Sequence, residues 1–337
     1  MNILILGGTA FIGRFVTRQL TAAGSHSITL FNRGTRHDAV PVGVNVINGD
    51  RAEIGKYAEP LRATKPDVVL DMAPLSDIDS LKVVDLFRDY AGRTVMISSC
   101  DVYRAYDILC RNSDAPPDAA PMTEDASLRE KLYPYSGHEG VSDRLKMYDK
   151  ILAERTYLGV PELPGTVLRL PMVYGPFDYQ HRLLRYVVMM DAARPAILLN
   201  DDFACWRSTR GYVEDVAHAI TLAVTNPRAA GEVFNAGEQH ACTEEEWVKK
   251  IGGYAGWGGQ VVRVPETLQQ HHTGMNCQQD LTIDTTKIRR QLGFAEITPE
   301  TEAYRRTLEF ERSVPCEKLP PDMLDFTSDD EILAAIK

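Results

Sequence analysis

Short apolar segments alternate with helical segments along the first half of the chain. Runs rich in Ile, Val and Leu predict six strands, at 2–6, 27–34, 43–50, 66–73, 93–103 and 165–176. Apolar residues at helical spacing predict helices at 11–24, 80–92 and about 142–158. Strands that are apolar throughout and alternate with helices are typical of a parallel sheet covered on both faces. The pattern therefore predicts a doubly wound α/β fold.

The alternation weakens after residue 176, where the elements become shorter. We expect a Rossmann dinucleotide-binding domain over 1–170 and a smaller C-terminal α/β substrate-binding part over 171–337, interleaved with the first. The segment 104–140 is rich in Pro, Asp and Ser and predicts a long loop, a kind of segment that often carries function in compact domains. The acidic C-terminal end is predicted to form a helix or a tail.

Composition narrows the possible classes of function. The formal net charge of −10 argues against broad binding to nucleic acid or to anionic membranes. No apolar run reaches the ~18 residues of a membrane span, and the chain opens directly in a strand, so we expect no signal peptide. The six cysteines are scattered without a CxxC pair, which favours free thiols in the cytoplasm. The adjacent His271 and His272 are expected in a surface loop, and no metal site is predicted.

The segment GGTAFIG at 7–13 follows the first predicted strand and opens the first predicted helix. That context distinguishes a dinucleotide-binding loop from a chance run of small residues. Gly7 permits the tight turn, Gly13 lets the helix pack close to the strand, and Ala10 is small enough for a ligand to approach. The helix N-terminus then presents free N–H groups to a pyrophosphate. The predicted cofactor-binding residues of the loop are Gly7, Thr9, Ala10, Phe11, Ile12 and Gly13.

The end of the second predicted strand bears on the choice between the two nicotinamide dinucleotides. NAD-binding folds place an Asp or Glu there for the ribose hydroxyls, whereas this chain has Asn32 followed by Arg33. An arginine can hold a 2′-phosphate bidentately, so we expect NADP, with NAD as the alternative. Arg33 could instead be a solvated surface charge. Asp50 is placed to meet the adenine, or else to cap the segment that follows it.

Seven short motifs occur in a fixed order along the chain. They are GGTAFIG (7–13), SSCDVY (98–103), KILAE (150–154), LRLPMVYGP (168–176), RGYVEDVAHA (210–219), VFNAG (233–237) and DTTKIRRQLGF (284–294). In this order and spacing the chain resembles the extended short-chain dehydrogenase/reductases, the NAD-dependent epimerases and dehydratases. The resemblance covers nearly the whole chain. It implies a dinucleotide-binding enzyme that acts on a sugar nucleotide or a similar hydroxyl or carbonyl compound, often as a homodimer.

The resemblance also implies a catalytic set of a Ser or Thr, a Tyr and a Lys. Carried over to this chain, Ser99 is the hydroxyl that orients the substrate oxygen, and Lys150 is the lysine that binds the nicotinamide ribose. The position that matches the tyrosine, four residues before Lys150, is Lys146. The tyrosine nearest in sequence is Tyr148, which a regular helix would turn about 200° away from Lys150.

Four interpretations of this departure remain open. Lys146 could be the acid/base, because a buried lysine beside a second one would have a lowered pKa. Tyr133 or Tyr135 could fold over the site from the long loop. An irregular helix start could let Tyr148 reach inward. Alternatively the redox chemistry has been lost, and the protein is a nucleotide-binding or regulatory protein, including an RNA-associated one, on the same fold.

Two arginines in the second half of the chain are candidates for substrate binding. Similar positions in the family often hold a phosphate or the diphosphate of a sugar nucleotide, and arginine forks suit that task. Arg207 and Arg210 could do so here, or could pair with Glu214 or Asp215. The leading expectation is an NAD(P)-dependent oxidoreductase, epimerase or dehydratase with a small-molecule substrate.

Overall fold

The computed structural model describes residues 1–268 and 274–336. Most strands come from the apolar runs of the sequence, and the interior ones are buried along nearly their whole length. In chain order, the strands of the described residues are β1 (Asn2–Leu6), β2 (Ser27–Asn32), β3 (Asn45–Asn48), β4 (Val68–Asp71), β5 (Arg93–Ser99), β6 (Gly165–Leu170), β7 (Met172–Tyr174), β8 (Ala196–Asn200), β9 (Arg207–Ser208), β10 (Arg210–Tyr212), β11 (Val233–Asn235), β12 (Cys242–Thr243) and β13 (Gln260–Val264).

Seven of these strands form one parallel sheet in the order β11-β6-β5-β4-β1-β2-β3. The chain builds one half outward from β1 and then returns to build the other half from β4, so the strand order reverses between β1 and β4. Open α/β sheets bind ligands at such a switch point, outside the carboxyl ends of the strands. The predicted doubly wound α/β fold is confirmed.

Helices cover both faces of the sheet, as an all-parallel sheet requires. Phe15 and Leu20 of α1 share an apolar core with Val216 and Ile220 of α9 on one face, and α3 and α6 pack together on the other. The helices of the described residues are α1 (Phe11–Ala22), α2 (Ala58–Ala63), α3 (Asp77–Phe87), α4 (Arg104–Leu109), α5 (Asp143–Lys146), α6 (Lys150–Leu158), α7 (Leu184–Asp191), α8 (Asp201–Cys205), α9 (Val213–Thr225), α10 (Glu244–Ala255), α11 (Thr286–Leu292), α12 (Glu300–Arg312) and α13 (Thr327–Ala335).

The later part of the chain adds small strand pairs beside the sheet. β8 pairs with β13, β7 with β10, and β9 with β12. The seventh strand of the large sheet, β11, and the covering helix α9 also come from this part, so the two parts of the chain are interleaved in space. A domain boundary at residue 170 stays a prediction.

The single helix predicted over 142–158 is wrong, because the chain forms two short helices there. Ser142 caps α5, accepting a hydrogen bond from the backbone N of Leu145 at 3.3 Å. Asp149 leaves the helical region, with φ −155° and ψ 106°, and caps α6 by accepting from the backbone N of Leu152 at 3.1 Å. The other Asp149 oxygen accepts from the backbone N of Tyr133 at 2.7 Å. A contact with a distant segment therefore breaks the helix.

The long segment 104–140 contains α4 and is fixed to the rest of the fold. Tyr103 forms an antiparallel bridge with Leu128, and Met122 forms a parallel bridge with Ile283. The predicted C-terminal helix is present as α13. Within the described ranges no helix is long and apolar enough to cross a membrane. The pair His271–His272 lies outside the described residues.

Candidate active site

The glycine-rich loop joins β1 to α1 in a conformation that its glycines permit. Gly7 and Gly8 have positive φ angles of 110° and 87°, which side-chain-bearing residues rarely adopt. A Cβ at Gly13 would lie 2.8 Å from the Cα of Gly8, so α1 packs directly against the loop. The first turn of α1 holds no acidic residue, and Ala10 provides no side-chain cap. The helix N-terminus is therefore left to interact with an anion from outside the protein.

A cavity of about 630 Å³ opens beside this loop, at the switch point of the sheet. Its walls come from the glycine loop and from the residues that follow β2, β3 and β4. The predicted cofactor-binding residues that line it are Gly7, Thr9, Ala10, Phe11, Ile12, Gly13, Asn32, Arg33 and Asp50. The structure thus brings these nine residues together, and of the predicted set only Lys150 is absent from the lining.

The end of β2 forms the basic rim of this cavity. Asn32 accepts a hydrogen bond from the backbone N of Gly34 at 2.7 Å, and its Nδ2 is buried without a partner in the described part of the chain. Arg33 and Arg36 both line the cavity and are exposed. Neither side chain forms an ion pair with any residue in 1–268 or 274–336. Two guanidinium groups without an ion-pair partner in the described residues therefore lie where the adenosine ribose of a dinucleotide is expected to bind.

Asp50 and Arg51 follow β3, which pairs with β2, and they form the cavity wall beside this rim. Asp50 accepts from the backbone N of Ala52 at 2.8 Å and starts the 3-10 turn Arg51–Tyr57, so it caps that segment while also lining the cavity. Arg51 donates hydrogen bonds to both carboxylate oxygens of the fully buried Asp71, at the end of β4. No sequence motif indicated Arg51. The hydroxyl of Tyr157 donates to the same carboxylate at 2.5 Å. This network holds the turn against the sheet.

Tyr148 lies outside any regular helix, because α6 begins two residues after it. Its ring turns inward, and its centroid lies 5.8 Å from the Nζ of Lys150. Its hydroxyl donates a hydrogen bond of 2.5 Å to Oδ2 of Asp101. Burial and the Asp101 charge raise the pKa of Tyr148 well above that of an ordinary tyrosine. Tyr148 therefore does not share a regular helix with Lys150, and its side chain is not turned away from that lysine as a regular helix would require.

Lys150 is buried at the start of α6, between the ends of β4 and β5. Its ammonium donates to the carbonyl of Pro74 at 2.8 Å and to that of Ile97 at 2.9 Å. Burial lowers the pKa of Lys150 to about 8, although the carboxylates of Asp101 and Asp71 pull the pKa upward. The ammonium is thus held in place by main-chain oxygens.

Ser99 and Asp101 belong to the turn that follows β5. The Ser99 hydroxyl accepts from the backbone N of Asp101 at 3.2 Å and starts the 3-10 turn Cys100–Val102. Burial raises the pKa of Asp101, while the hydrogen bond from Tyr148 and the charge of Arg129 oppose that rise. Asp101 belongs to the motif SSCDVY, but nothing in the sequence indicates that the Tyr148 hydroxyl reaches it.

The other predicted acid/base residues have different surroundings. Lys146 lies in α5 with 43% of its side chain exposed, and its Nζ is 3.2 Å from a carboxylate oxygen of Asp143. The helix break at Asp149 separates Lys146 from the face that carries Lys150. Tyr135 packs its ring 5.3 Å from that of Tyr148. Tyr133 is tied to Asp149 through its backbone N and is only partly buried.

The cavity stops short of the acid/base residues. Ala73 and Ile97 belong to its lining, whereas Ser99, Tyr148 and Lys150 do not. Ile97 is shared, because its carbonyl accepts the Lys150 hydrogen bond. The two sites are therefore neighbours across the end of β5.

The two arginines considered for a substrate phosphate are engaged with protein groups. Arg210 is buried, pairs with Glu244, and stacks with its guanidinium carbon 3.9 Å from the Trp247 ring centroid. Arg207 lies 3.7 Å from Glu246 at the surface. The alternative prediction, that these arginines pair with Glu214 or Asp215, is wrong. Glu214 pairs with Arg306, and Asp215 accepts hydrogen bonds from the backbone N atoms of residues 297 and 298.

The sequence profile of the NAD dependent epimerase/dehydratase family matches residues 3–237. This range includes the glycine loop, the cavity and the acid/base residues.

Three individual proteins are similar to the chain, at sequence identities between 15% and 27%. The chain is 26% identical to 2′-dehydrokanamycin reductase of Streptomyces kanamyceticus over 79% of this chain and 70% of that protein. It is 27% identical to chloroplast stem-loop binding protein of 41 kDa b of Arabidopsis thaliana over 75% of this chain, and spans only 64% of that relative's length. A UDP-glucuronic acid 4-epimerase from Bacillus cereus, solved with UDP-glucuronic acid and NAD, superposes with a TM-score of 0.68 at 15% identity, over 93% of this chain and 99% of that one.

Proposed function

The chain belongs to the NAD-dependent epimerase/dehydratase family, and we propose that it is an NAD(P)-dependent oxidoreductase whose acid/base group is Tyr148. The observation that carries the proposal is the Tyr148 hydroxyl, held 2.5 Å from Asp101 and beside Lys150, next to a cavity built on a glycine loop. The two-residue spacing between Tyr148 and Lys150 is accommodated by the break at Asp149.

The residues around the cavity fit a nicotinamide dinucleotide. A Cβ at Gly7, Gly8 or Gly13 would press against neighbouring protein atoms, so the loop keeps its shape only with glycine there, and the N-terminus of α1 carries no competing anion. Backbone N–H groups of the loop would hold the pyrophosphate, and Asn32 would donate its buried Nδ2 to the adenosine end. Once bound, the dinucleotide supplies or accepts hydride.

Each residue of the acid/base cluster has its own role in the proposed proton transfer. Tyr148 exchanges a proton with the substrate oxygen, and its raised pKa keeps the phenol protonated before the reaction. Lys150 supplies a positive charge near the phenol, and Ser99 orients the substrate oxygen. Asp101 holds the Tyr148 ring in place and takes or returns the phenolic proton.

Arg33 and Arg36 favour NADP over NAD in this proposal. Both line the adenosine end of the cavity, are exposed, and have no carboxylate partner in the described ranges. A 2′-phosphate would give them charge-assisted hydrogen bonds that NAD cannot offer. NAD remains the cofactor named for the family.

For the substrate we propose a sugar nucleotide or a comparable hydroxyl or carbonyl compound. Support comes from the family and from the names of similar proteins, which include a 2′-dehydrokanamycin reductase and a UDP-glucuronic acid 4-epimerase. The buried state of Arg210 leaves Arg207 as the more accessible guanidinium for a diphosphate. We also propose a homodimer, as is common in the family.

The experiment is a fluorescence titration with NADPH and NADH, followed by a turnover screen of nucleotide sugars and ketones. Micromolar binding with NADPH preferred, and turnover that disappears in Tyr148→Phe, would support the proposal. Binding of neither dinucleotide would remove it.

A non-redox, RNA-associated protein is the second candidate, because one relative is named as a stem-loop binding protein. The net charge of −10 works against it. Filter binding of a stem-loop RNA at physiological salt distinguishes the two, and retention of the RNA without dinucleotide binding would favour this second candidate.

A further inference from the structure

A buried polar cluster lies behind Tyr148 and consists of Asp101, Asp107 and Arg129. These side chains belong to residues that are 7%, 4% and 3% exposed. Each has one buried polar atom with no protein partner in the described part of the chain: Oδ1 of Asp101, Oδ1 of Asp107 and Nη2 of Arg129. Buried polar atoms are nearly always hydrogen-bonded. Three such atoms without a protein partner in one cluster therefore indicate bound water or a ligand.

The backbone brings these residues together through the long segment 104–140. Arg129 donates its backbone N to the carbonyl of Val102 at 2.9 Å, which sets it beside the turn that holds Asp101. Its Nε donates to the Asp101 carbonyl at 2.9 Å, and Nη1 lies 3.2 Å from Oδ2 of Asp149. Burial raises the pKa of both Asp101 and Asp107, and the Arg129 charge opposes both shifts. The guanidinium therefore acts on both carboxyl groups.

The cluster continues outward to the surface. The Asn112 side chain and the Lys131 backbone lower the pKa of Asp107 through hydrogen bonding, and both of these residues are exposed. Lys131 in turn points its ammonium to Oδ1 of Asn112 at 3.5 Å. At the inner end, the Tyr148 hydroxyl donates to Asp101. None of these residues lines the dinucleotide cavity.

We propose that ordered water joins Asp101, Asp107 and Arg129 into a proton path between Tyr148 and solvent, with its exit at Asn112. The path rests on the proposed role of Tyr148. In the oxidative direction, Tyr148 accepts the proton of the substrate hydroxyl while its own proton passes to Asp101. Rotation of that carboxyl group presents the proton to water, which passes a proton to Asp107 and so to solvent. Each transfer breaks one O–H bond and forms another, and no group along the path is oxidised or reduced.

This route gives the site a means of proton exchange while substrate and dinucleotide occupy the cavity. Reduction of a carbonyl needs one proton per turnover from solvent, and the path supplies it in reverse. Asp107 and Arg129 are positioning and relay residues in this scheme, because neither touches the substrate.

The first test is a crystal structure of the wild-type protein at a resolution that shows ordered water. We expect water bound to Oδ1 of Asp101 and to Nη2 of Arg129, continuing to Oδ1 of Asp107. If these atoms are bonded directly to protein groups, or the cluster is dry, the path does not exist.

The second test compares Asp107→Asn with Asp107→Glu and with Asp114→Asn, an exposed carboxylate in the same segment. Asp107→Asn should lower kcat about tenfold with KM unchanged and raise the solvent deuterium isotope effect, because proton transfer becomes rate-limiting. Asp107→Glu should restore most of the rate. Equal kcat and isotope effect in Asp107→Asn and Asp114→Asn would refute the path.

These outcomes separate the path from the proposed function. A fully active Tyr148→Phe removes the acid/base assignment, whatever the water structure shows. An inactive Tyr148→Phe together with a normal Asp107→Asn leaves the assignment intact and removes only the path.

Discussion

The glycine loop follows β1 and the acid/base cluster follows β5, with β4 between the two strands, and the two regions are held by different kinds of contact. The loop is fixed within one β–α turn, by the positive φ angles of Gly7 and Gly8 and the close approach of Gly13. The acid/base cluster is held by residues far apart in the chain, such as Tyr148 on Asp101 and Asp149 on the backbone of Tyr133. A change in the segment 104–140 should therefore disturb proton chemistry without disturbing the dinucleotide loop.

The largest effect is expected from removing the phenolic hydroxyl. Tyr148→Phe should lower turnover by a factor on the order of 10²–10⁴, because the proton donor is lost. Its affinity for NADPH should stay within about twofold, since Tyr148 does not line the cavity. Steady-state kinetics and fluorescence titration measure the two quantities.

Lys146→Met is the matched control for the acid/base assignment. Lys146 is paired with Asp143 at the surface, so its loss should leave turnover nearly unchanged. If Lys146→Met is inactive and Tyr148→Phe is active, the lysine is the acid/base.

The next effect concerns the dinucleotide loop. Gly13→Ala places a Cβ 2.8 Å from the Cα of Gly8, so the loop must shift. We expect the Kd for NADPH to rise at least about tenfold, a loss of ~1.4 kcal/mol. Gly253→Ala in α10 is the control, because its Cβ meets nothing within 4 Å. Equal affinities in the two variants would mean that the loop does not hold the pyrophosphate.

A smaller effect should distinguish the two dinucleotides. Arg33→Ser should weaken NADPH binding by about tenfold, because charge-assisted hydrogen bonds to a 2′-phosphate are lost. NADH binding should hardly change. Parallel titrations with both dinucleotides measure the ratio, and an equal loss for both would assign Arg33 a role that does not depend on the 2′-phosphate.

The smallest effect is a pH dependence. Lys150 in the free protein has a pKa of about 8, lowered by burial, so its positive charge disappears above that pH. The value of kcat/KM for NADPH reports groups of the free enzyme and should fall above about pH 8. In Lys150→Arg the fall should move to higher pH, because a guanidinium stays charged. A fall at the same pH in both proteins would exclude Lys150 as its source.

The contrast between the two regions also explains what the sequence could predict. The first six strands, α1 and the nine predicted residues that line the cavity follow from apolar runs and from GGTAFIG, because local spacing determines them. The break at Asp149 could not be predicted, since it depends on hydrogen bonds with Tyr133 and Arg129 from a segment without a recognisable pattern. The role of Arg51 could not be predicted either, because its partner Asp71 lies at the end of β4.

The central claim is that the cavity and the acid/base cluster form one redox site. A crystal structure of the protein with bound NADPH would test this claim most directly. The decisive measurement is the distance from the nicotinamide C4 atom to the Tyr148 hydroxyl oxygen. We predict that the nicotinamide passes Ile97 and comes to rest beside Tyr148, with Lys150 on the ribose hydroxyls. A dinucleotide that ends at Ile97, with Lys150 still bonded to the carbonyls of Pro74 and Ile97, would contradict the proposed function.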